Sequence, residues 1–396
     1  MQDEKKSSEI SASLASSAAL TRRQFIPRVA AAVLGAGAWL NPQRLLAEDR
    51  AQLAAASSEG MRYRSLGKTG IRVSEVSFGS HLTDANRLNP QERSAQINKG
   101  LELGINLFDI YDHTYQQFGL MSEVLGPVRQ QVVLSLVTVW DKRQVAQEVD
   151  YALKTFNTDV IDLYRIYMEA NTARGDVALR FGALQEAKKA GKIRAVGLVT
   201  HDHAVLVEML RTYPELDYVM LPYNFQYQRF SPLTLVPSTS WGQVKDRWME
   251  PLPGGTPAPK TARQQADCMT SPCEDAELLP LVQQTGVGVI AIKPFAAGGL
   301  LQLAPSDPLL QELQQAEVSL PRAALRFVLS NQEITCALPA MNSIAEVVEN
   351  TAASTGEGMS EAECRLLQLY ADAAEQARGT HLPKGYAWLE QWKAQA

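Results

Sequence analysis

A chain of 396 residues with 45% hydrophobic and 20% charged positions can bury a large core, which excludes a fibrous or disordered class. A formal net charge of -5 without a long basic run argues against nucleic acid as a partner and leaves small molecules or proteins. Four cysteines are too few for a disulfide-built fold.

The N-terminus opens with a polar Ser/Ala-rich segment to about Leu20, continues as Thr21-Arg22-Arg23-Gln24-Phe25-Ile26, and then runs apolar from Val29 to Leu40. That order has the pattern of a twin-arginine export signal, and the apolar run is far shorter than the ~20 residues of a spanning helix. Cleavage is expected near Leu45-Leu46-Ala47, so 1–47 reads as signal, 48–60 as linker and 61–396 as a periplasmic protein with no membrane segment once the signal is removed.

From Met61, Tyr63 to Val73 carries two short strand-like runs around Gly67 and Gly70 and reads as a β-hairpin. Eight strands follow: Glu75 to Gly79, Leu107 to Tyr111, Val132 to Val139, Val160 to Tyr167, Ile193 to Val199, Tyr218 to Leu221, Val287 to Ile292 and Thr335 to Leu338. Helical patterns separate them. One spans Gln144 to Phe156, capped by Asp141, with Val145, Val149, Ala152, Leu153 and Phe156 on one face. Another spans Val177 to Ala190 with Leu179, Ala183, Leu184 and Ala187 inward. Eight such units, without a Gly-x-Gly-x-x-Gly after the first strand, predict a closed (β/α)8 TIM barrel with an N-terminal β-hairpin. A long insertion follows strand 6, at about 225–277, rich in Pro, Ser, Gly and Thr and carrying Trp241, Trp248, Cys268 and Cys273. It reads equally as a packed insertion or as a surface for a protein partner, and in an oxidising compartment Cys268 and Cys273 could close a short loop. A C-terminal helical extension is expected at about 358–396, with a helix from Glu361 to Ala377 and an aromatic tail from Tyr386 to Trp392.

Following each strand to its C-terminal end collects Ser80 and His81, then Asp109, Asp112, His113 and Tyr115, then Tyr167 and Glu169, then Thr200, His201, Asp202 and His203. In a barrel those ends converge, so a site is expected there.

With those residues in place, the chain from about Met61 to about Ala353 resembles the aldo/keto reductase family. The likeness rests on Arg64-Ser65-Leu66-Gly67-Lys68-Thr69-Gly70, Gly104-Ile105-Asn106-Leu107-Phe108-Asp109, Ser122-Glu123-Val124-Leu125-Gly126, Asp159 to Tyr164, Gly191 to Gly197, Pro222-Tyr223-Asn224, Lys293 to Leu300 and Pro339 to Asn350. The resemblance implies carbonyl reduction with NAD(P), in which a Tyr gives a proton to the carbonyl oxygen while Lys and His tune it and Asp pairs with the Lys. Asp109 matches the first member and Tyr115 the second, one residue further on than the usual motif, with Tyr111 as a fallback. Val137 stands where the Lys is expected and Tyr167 where the His is, so Tyr167 or His113 would replace part of the tetrad. The implied phenol then lacks a nearby cation, which makes it a poor acid at neutral pH, since its ordinary pKa is about 10.

The same resemblance implies cofactor contacts from Gly79, Thr200, His201, Asn224, Lys293, Pro294, Ala340, Ser343, Glu349 and Asn350. It supplies no Arg or Lys to clamp a 2′-phosphate in the last segment, so a preference for NADPH is not implied. Three readings remain open. The first is an oxidoreductase of a small carbonyl or alcohol with a tightly held nicotinamide. The second is a barrel that has lost redox chemistry and serves as a periplasmic binding or accessory subunit. The third is a metal-dependent enzyme using His81, Asp109, Asp112, His113, His201 or His203.

Overall fold

The computed structural model describes residues 60–81, 89–111, 118–168, 171–225, 275–295, 301, 305, 308–315, 318–355, 359–360, 362–367 and 369–370. The expected export signal, the linker but for Gly60, Asp112, His113, Tyr115, Glu169, nearly all of the insertion with its cysteine pair, and the aromatic tail lie outside those residues.

β1 (Tyr63–Ser65) and β2 (Arg72–Ser74) pair antiparallel with Tyr63 opposite Ser74, forming the expected hairpin. Its turn sends Leu66, Ile71 and Val73 into the same buried cluster as Leu107, Leu163 and Ile290 of the barrel strands. The Lys68 amide donates to the Gly286 carbonyl, which ties the turn to the segment leading into the seventh barrel strand. Arg62 Nε and Arg64 Nε donate to the Glu75 carboxylate at 2.8 and 2.7 Å, and Arg64 also reaches the Leu329 and Ile334 carbonyls. The hairpin thus seals the N-terminal end of the barrel and leaves the C-terminal strand ends as its mouth.

All eight expected barrel strands form: β3 (Phe78–Gly79), β4 (Leu107–Ile110), β5 (Val133–Val137), β6 (Ile161–Tyr167), β7 (Ile193–Val199), β8 (Tyr218–Pro222), β9 (Gly288–Ile292) and β10 (Cys336–Leu338). They pair in parallel in chain order, and the bridges Val76 to Ala337 and Gly79 to Ala340 join the first strand to the last. Gly79 lies on that seam, where a Cβ would sit 2.5 Å from the Pro339 carbonyl oxygen, so only glycine lets the strands approach. Strand alternation then separates two cores: Leu107, Val133, Leu163 and Tyr218 face the axis, while Phe108, Leu134, Tyr164 and Val219 face the helices.

The helices α1 (Pro90–Glu102), α2 (Leu120–Leu125), α3 (Val145–Thr155), α4 (Arg174–Lys189), α5 (His203–Thr212), α6 (Asp275–Thr285), α7 (Pro308–Gln315), α8 (Leu320–Ser330) and α9 (Ile344–Thr351) follow the strands. Two local expectations are corrected. Asp141 is not the cap of α3: Gln144 holds that position, and the Asp141 carboxylate instead accepts the Arg143 amide at 2.9 Å in a turn before the helix. On α4 the buried stripe is Val177, Phe181, Leu184 and Ala187, and Leu179 is 52% exposed, because the helix begins at Arg174 and Phe181 claims the inner face. Beyond the barrel, 362–367 and 369–370 are helical, within the expected C-terminal helix.

Candidate active site

Asp109 is the third residue of β4 and shares its inward face with Leu107, which puts a carboxylate inside the barrel just below the mouth. It does not stand there alone. Arg165 of β6 donates Nη1 to Asp109 Oδ1 at 2.5 Å and Nη2 to Oδ2 at 3.0 Å, a two-point ion pair. Ser135 Oγ of β5 donates to the same Oδ1 at 2.7 Å and accepts from Arg165 Nη1 at 2.9 Å. Asp109, Ser135 and Arg165 are all buried. Burial works against the Arg165 charge, but Asp109, with Tyr218 and Tyr111, more than offsets it and lifts its pKa above the ordinary arginine value. Tyr218 of β8 lies flat against Gly197 and completes this polar centre, with burial pushing its phenol up and Arg165 pulling it down.

Tyr115, the implied phenol, lies outside the described residues, but Tyr111, the fallback, does have a cation nearby. Val137 does occupy β5 without a charge, but Arg165 is its register partner on β6 and carries the charge one strand over. The signal was in the sequence: an arginine two residues before Tyr167, on the same face of that buried strand as Leu163, has to be paired inside the barrel.

Nearer the mouth, three aromatic rings form a row. The Tyr111 ring receives the Arg165 guanidinium over its face, Cζ lying 5.4 Å from the centroid. Tyr111 and Tyr167 meet edge to face at 6.2 Å, and Tyr167 meets His201 the same way at 6.0 Å. The Tyr111 amide donates to Ser80 Oγ at 3.1 Å, which ties the end of β4 to the end of β3. His81 follows on that strand; burial, with Lys293 and Arg93, holds its pKa down at about 4, so the ring is neutral at neutral pH.

Of the residues expected to hold a cofactor, Gly79 and Ala340 meet across the seam between the first and last strands. Thr200 and His201 are buried just past β7, with Thr200 Oγ1 accepting the Asp202 amide at 3.1 Å. Asn224, past β8, donates Nδ2 to the Lys293 carbonyl at 3.1 Å, and Lys293, followed by the buried Pro294, has the left-handed backbone φ of 55° that turns the chain off β9. Ser343 caps α9 by accepting the Glu346 amide at 3.1 Å, and Asn350 is buried on that helix. Gly79, Thr200, His201, Asn224, Lys293, Pro294, Ala340 and Ser343 thus lie at or just past the strand ends on the side away from β5, while Glu349 and Asn350 lie further along α9. Arg93, which sequence reasoning did not single out, braces the rim: it donates to the Met341 carbonyl at 2.6 Å, the Ser80 carbonyl at 2.7 Å and Gln96 Oε1 at 2.9 Å. A nicotinamide dinucleotide fits this set, because Glu349 Oε1 is buried with no partner among the described residues and would accept from an amine or hydroxyl donor. For the metal reading, no group of three or more His, Cys, Asp or Glu able to hold an ion occurs among the described residues, and Asp109 is engaged by Arg165.

The sequence pattern of the aldo/keto reductase family matches residues 75–255. L-galactose dehydrogenase of Arabidopsis thaliana is 25% identical over 329 residues, spanning 74% of this chain and 88% of that protein. L-glyceraldehyde 3-phosphate reductase of Escherichia coli O157:H7 is 22% identical, spanning 74% and 87%. An aldo-keto reductase from Bacillus halodurans, in its holo form, superposes with a TM-score of 0.53 at 22% identity over 79% of this chain and 97% of that one, which shows a common fold. With the collinear motifs now seated on a hairpin-sealed barrel, the chain is similar to the aldo/keto reductase family over residues 75–255 and shares the barrel fold of its solved members.

Proposed function

We propose that the protein interconverts a small carbonyl compound and its alcohol with a nicotinamide cofactor. The observation that carries this reading is the buried cluster of Asp109, Ser135 and Arg165 just below the barrel mouth. A buried ion pair is no more stabilising than apolar residues of the same volume, so charges held at the end of a barrel where sites form argue for a task there. A barrel that had given up chemistry could fill the same space with Leu and Val.

A reduced nicotinamide, when bound, would supply the hydride that the carbonyl carbon takes up. The chain supplies the remainder. Asn224, Lys293, Ser343, Glu349 and Asn350 would hold the dinucleotide along the rim, and Thr200 and His201 would border its reactive ring. A phenol at the mouth gives the proton to the carbonyl oxygen, with Tyr111 and Tyr167 as the groups among the described residues. Export by the twin-arginine route belongs to the same reading, since that route carries folded proteins and a cofactor loaded beforehand would travel with the chain.

Titration of the purified protein with NADH and with NADPH, followed by cofactor fluorescence, tests the reading, together with assay of the supernatant from denatured protein for released nucleotide. Saturable binding, or nucleotide near one per chain, is expected. Neither binding nor released nucleotide would sink the proposal and favour the accessory-subunit reading, while stoichiometric metal in the same supernatant would favour the metal-dependent one.

A further inference from the structure

Deepening that reading, on which it rests, we propose that Arg165 supplies from β6 the positive charge that the family pattern assigns to the position of Val137, and that the phenol it serves as proton donor is Tyr111. Val137 and Arg165 are Cα partners across β5 and β6, so side chains from the two positions start abreast of each other on the barrel wall. A guanidinium is longer and flatter than an ammonium, and from β6 it spans β5 to pair with Asp109 on β4. The carboxylate thus keeps the role of holding a cation while the strand that brings the cation changes.

Tyr111 follows Asp109 by two residues and therefore points to the same face one layer nearer the mouth. Its ring takes the Arg165 Cζ over its face at 5.4 Å, and its backbone is pinned by Ser80. A cation over the face of a phenol is drawn more strongly to the phenolate, whose ring is richer in electrons, so the arrangement eases loss of the proton. Among the described residues, the groups facing it from neighbouring elements include Arg165 and Tyr167 of β6 and Asp109 of β4, with Tyr218 of β8 sensing the same guanidinium. Asp109 opposes Arg165 and trims its effect, while the guanidinium is the group set over the ring face. In the reaction, the O–H bond of Tyr111 breaks and its proton passes to the oxygen of the carbonyl whose carbon has received the hydride. Water then returns a proton to the phenolate.

The test uses the full chain with its tyrosines labelled with carbon-13 at Cζ and titrated by NMR, the Tyr111 resonance being the one lost in Tyr111→Phe. That resonance is expected to titrate below the ordinary phenol range. In Arg165→Met the midpoint should return to about 10 or above, with kcat falling about tenfold or more and KM little changed. In Val137→Lys/Arg165→Leu, which moves the cation back to β5, the low midpoint and kcat should both recover. A wild-type midpoint at or above about 10, a midpoint unmoved by Arg165→Met, or loss of the low-midpoint resonance in Tyr115→Phe instead would each overturn the inference. Should Arg165→Met fail to fold, Val137→Lys/Arg165→Leu decides, a low midpoint supporting the assignment and an ordinary one overturning it. A wild type that reduces no carbonyl yet keeps the low midpoint would fell the oxidoreductase reading and leave the pairing of Arg165 with Tyr111 standing.

Discussion

Replacing Arg165 by methionine should destabilise the fold by about 3–5 kcal/mol, the usual result of stranding one member of a buried ion pair. The magnitude follows from what remains. Arg165 and Asp109 have side chains only 1% and 5% exposed, and the pair is joined through both guanidinium nitrogens at 2.5 and 3.0 Å. Without Arg165, the Asp109 carboxylate keeps the Ser135 hydroxyl at 2.7 Å and loses both of its charged hydrogen bonds. Asp109→Leu strands the guanidinium in the same way and should cost a similar amount. The double variant Asp109→Leu/Arg165→Met removes both charges and should lie within about 2 kcal/mol of the wild type, since apolar replacement of a buried pair is often close to neutral. Urea unfolding of the four proteins, followed by far-ultraviolet circular dichroism, gives the cycle, with the double loss well below the sum of the single ones. A single-variant loss under about 1 kcal/mol would mean that water reaches the pair, and the argument from burial would fail.

Two further changes probe the barrel around the site. Gly197→Ala places a Cβ 2.3 to 2.6 Å from the Tyr218 ring, so it should lower stability by about 1–3 kcal/mol or more, with partial recovery in Gly197→Ala/Tyr218→Val; a melting temperature unchanged by the single substitution would refute the packing. Burial pushes Glu148 up to about 8, against the Val139 amide, the Arg180 charge and the Trp140 amide. The folded protein therefore holds this proton more tightly than the unfolded chain, whose carboxyl ionises near 4.5. Stability contributed by the group is full below about 4.5 and is lost as pH rises toward about 8, by at most about 1.4 kcal/mol per pH unit. Glu148→Gln should flatten that fall between pH 5 and pH 8, measured by urea midpoints, and an identical fall in both proteins would count against it.

The barrel was legible because its signals are local and repeated. Each strand is a largely apolar run such as Tyr218 to Leu221, most are followed by polar residues, and the collinear motifs fix their order. Asp109 was legible for the same reason, as a charge closing the run Leu107-Phe108. Arg165 was not singled out, because its partner lies 56 residues away and comes within reach only when two strands with β5 between them curve around one axis. Leu179 was misjudged from helical spacing alone, since the choice between it and Phe181 depends on where α4 begins and what it packs against.

The exchange of Val137 for Arg165 also illustrates why a motif read position by position can mislead in a closed barrel. Motifs follow the chain, whereas a site is defined around the axis, where side chains from adjacent strands at the same height are interchangeable sources of one charge. Val137 and Arg165 are such a pair by register, and the reach of a guanidinium makes the exchange possible without moving Asp109. Lysine at 165 would test the point: it keeps the charge but gives up the two-point pairing and the flat face over Tyr111, so part of the stability and part of the effect on the phenol should survive.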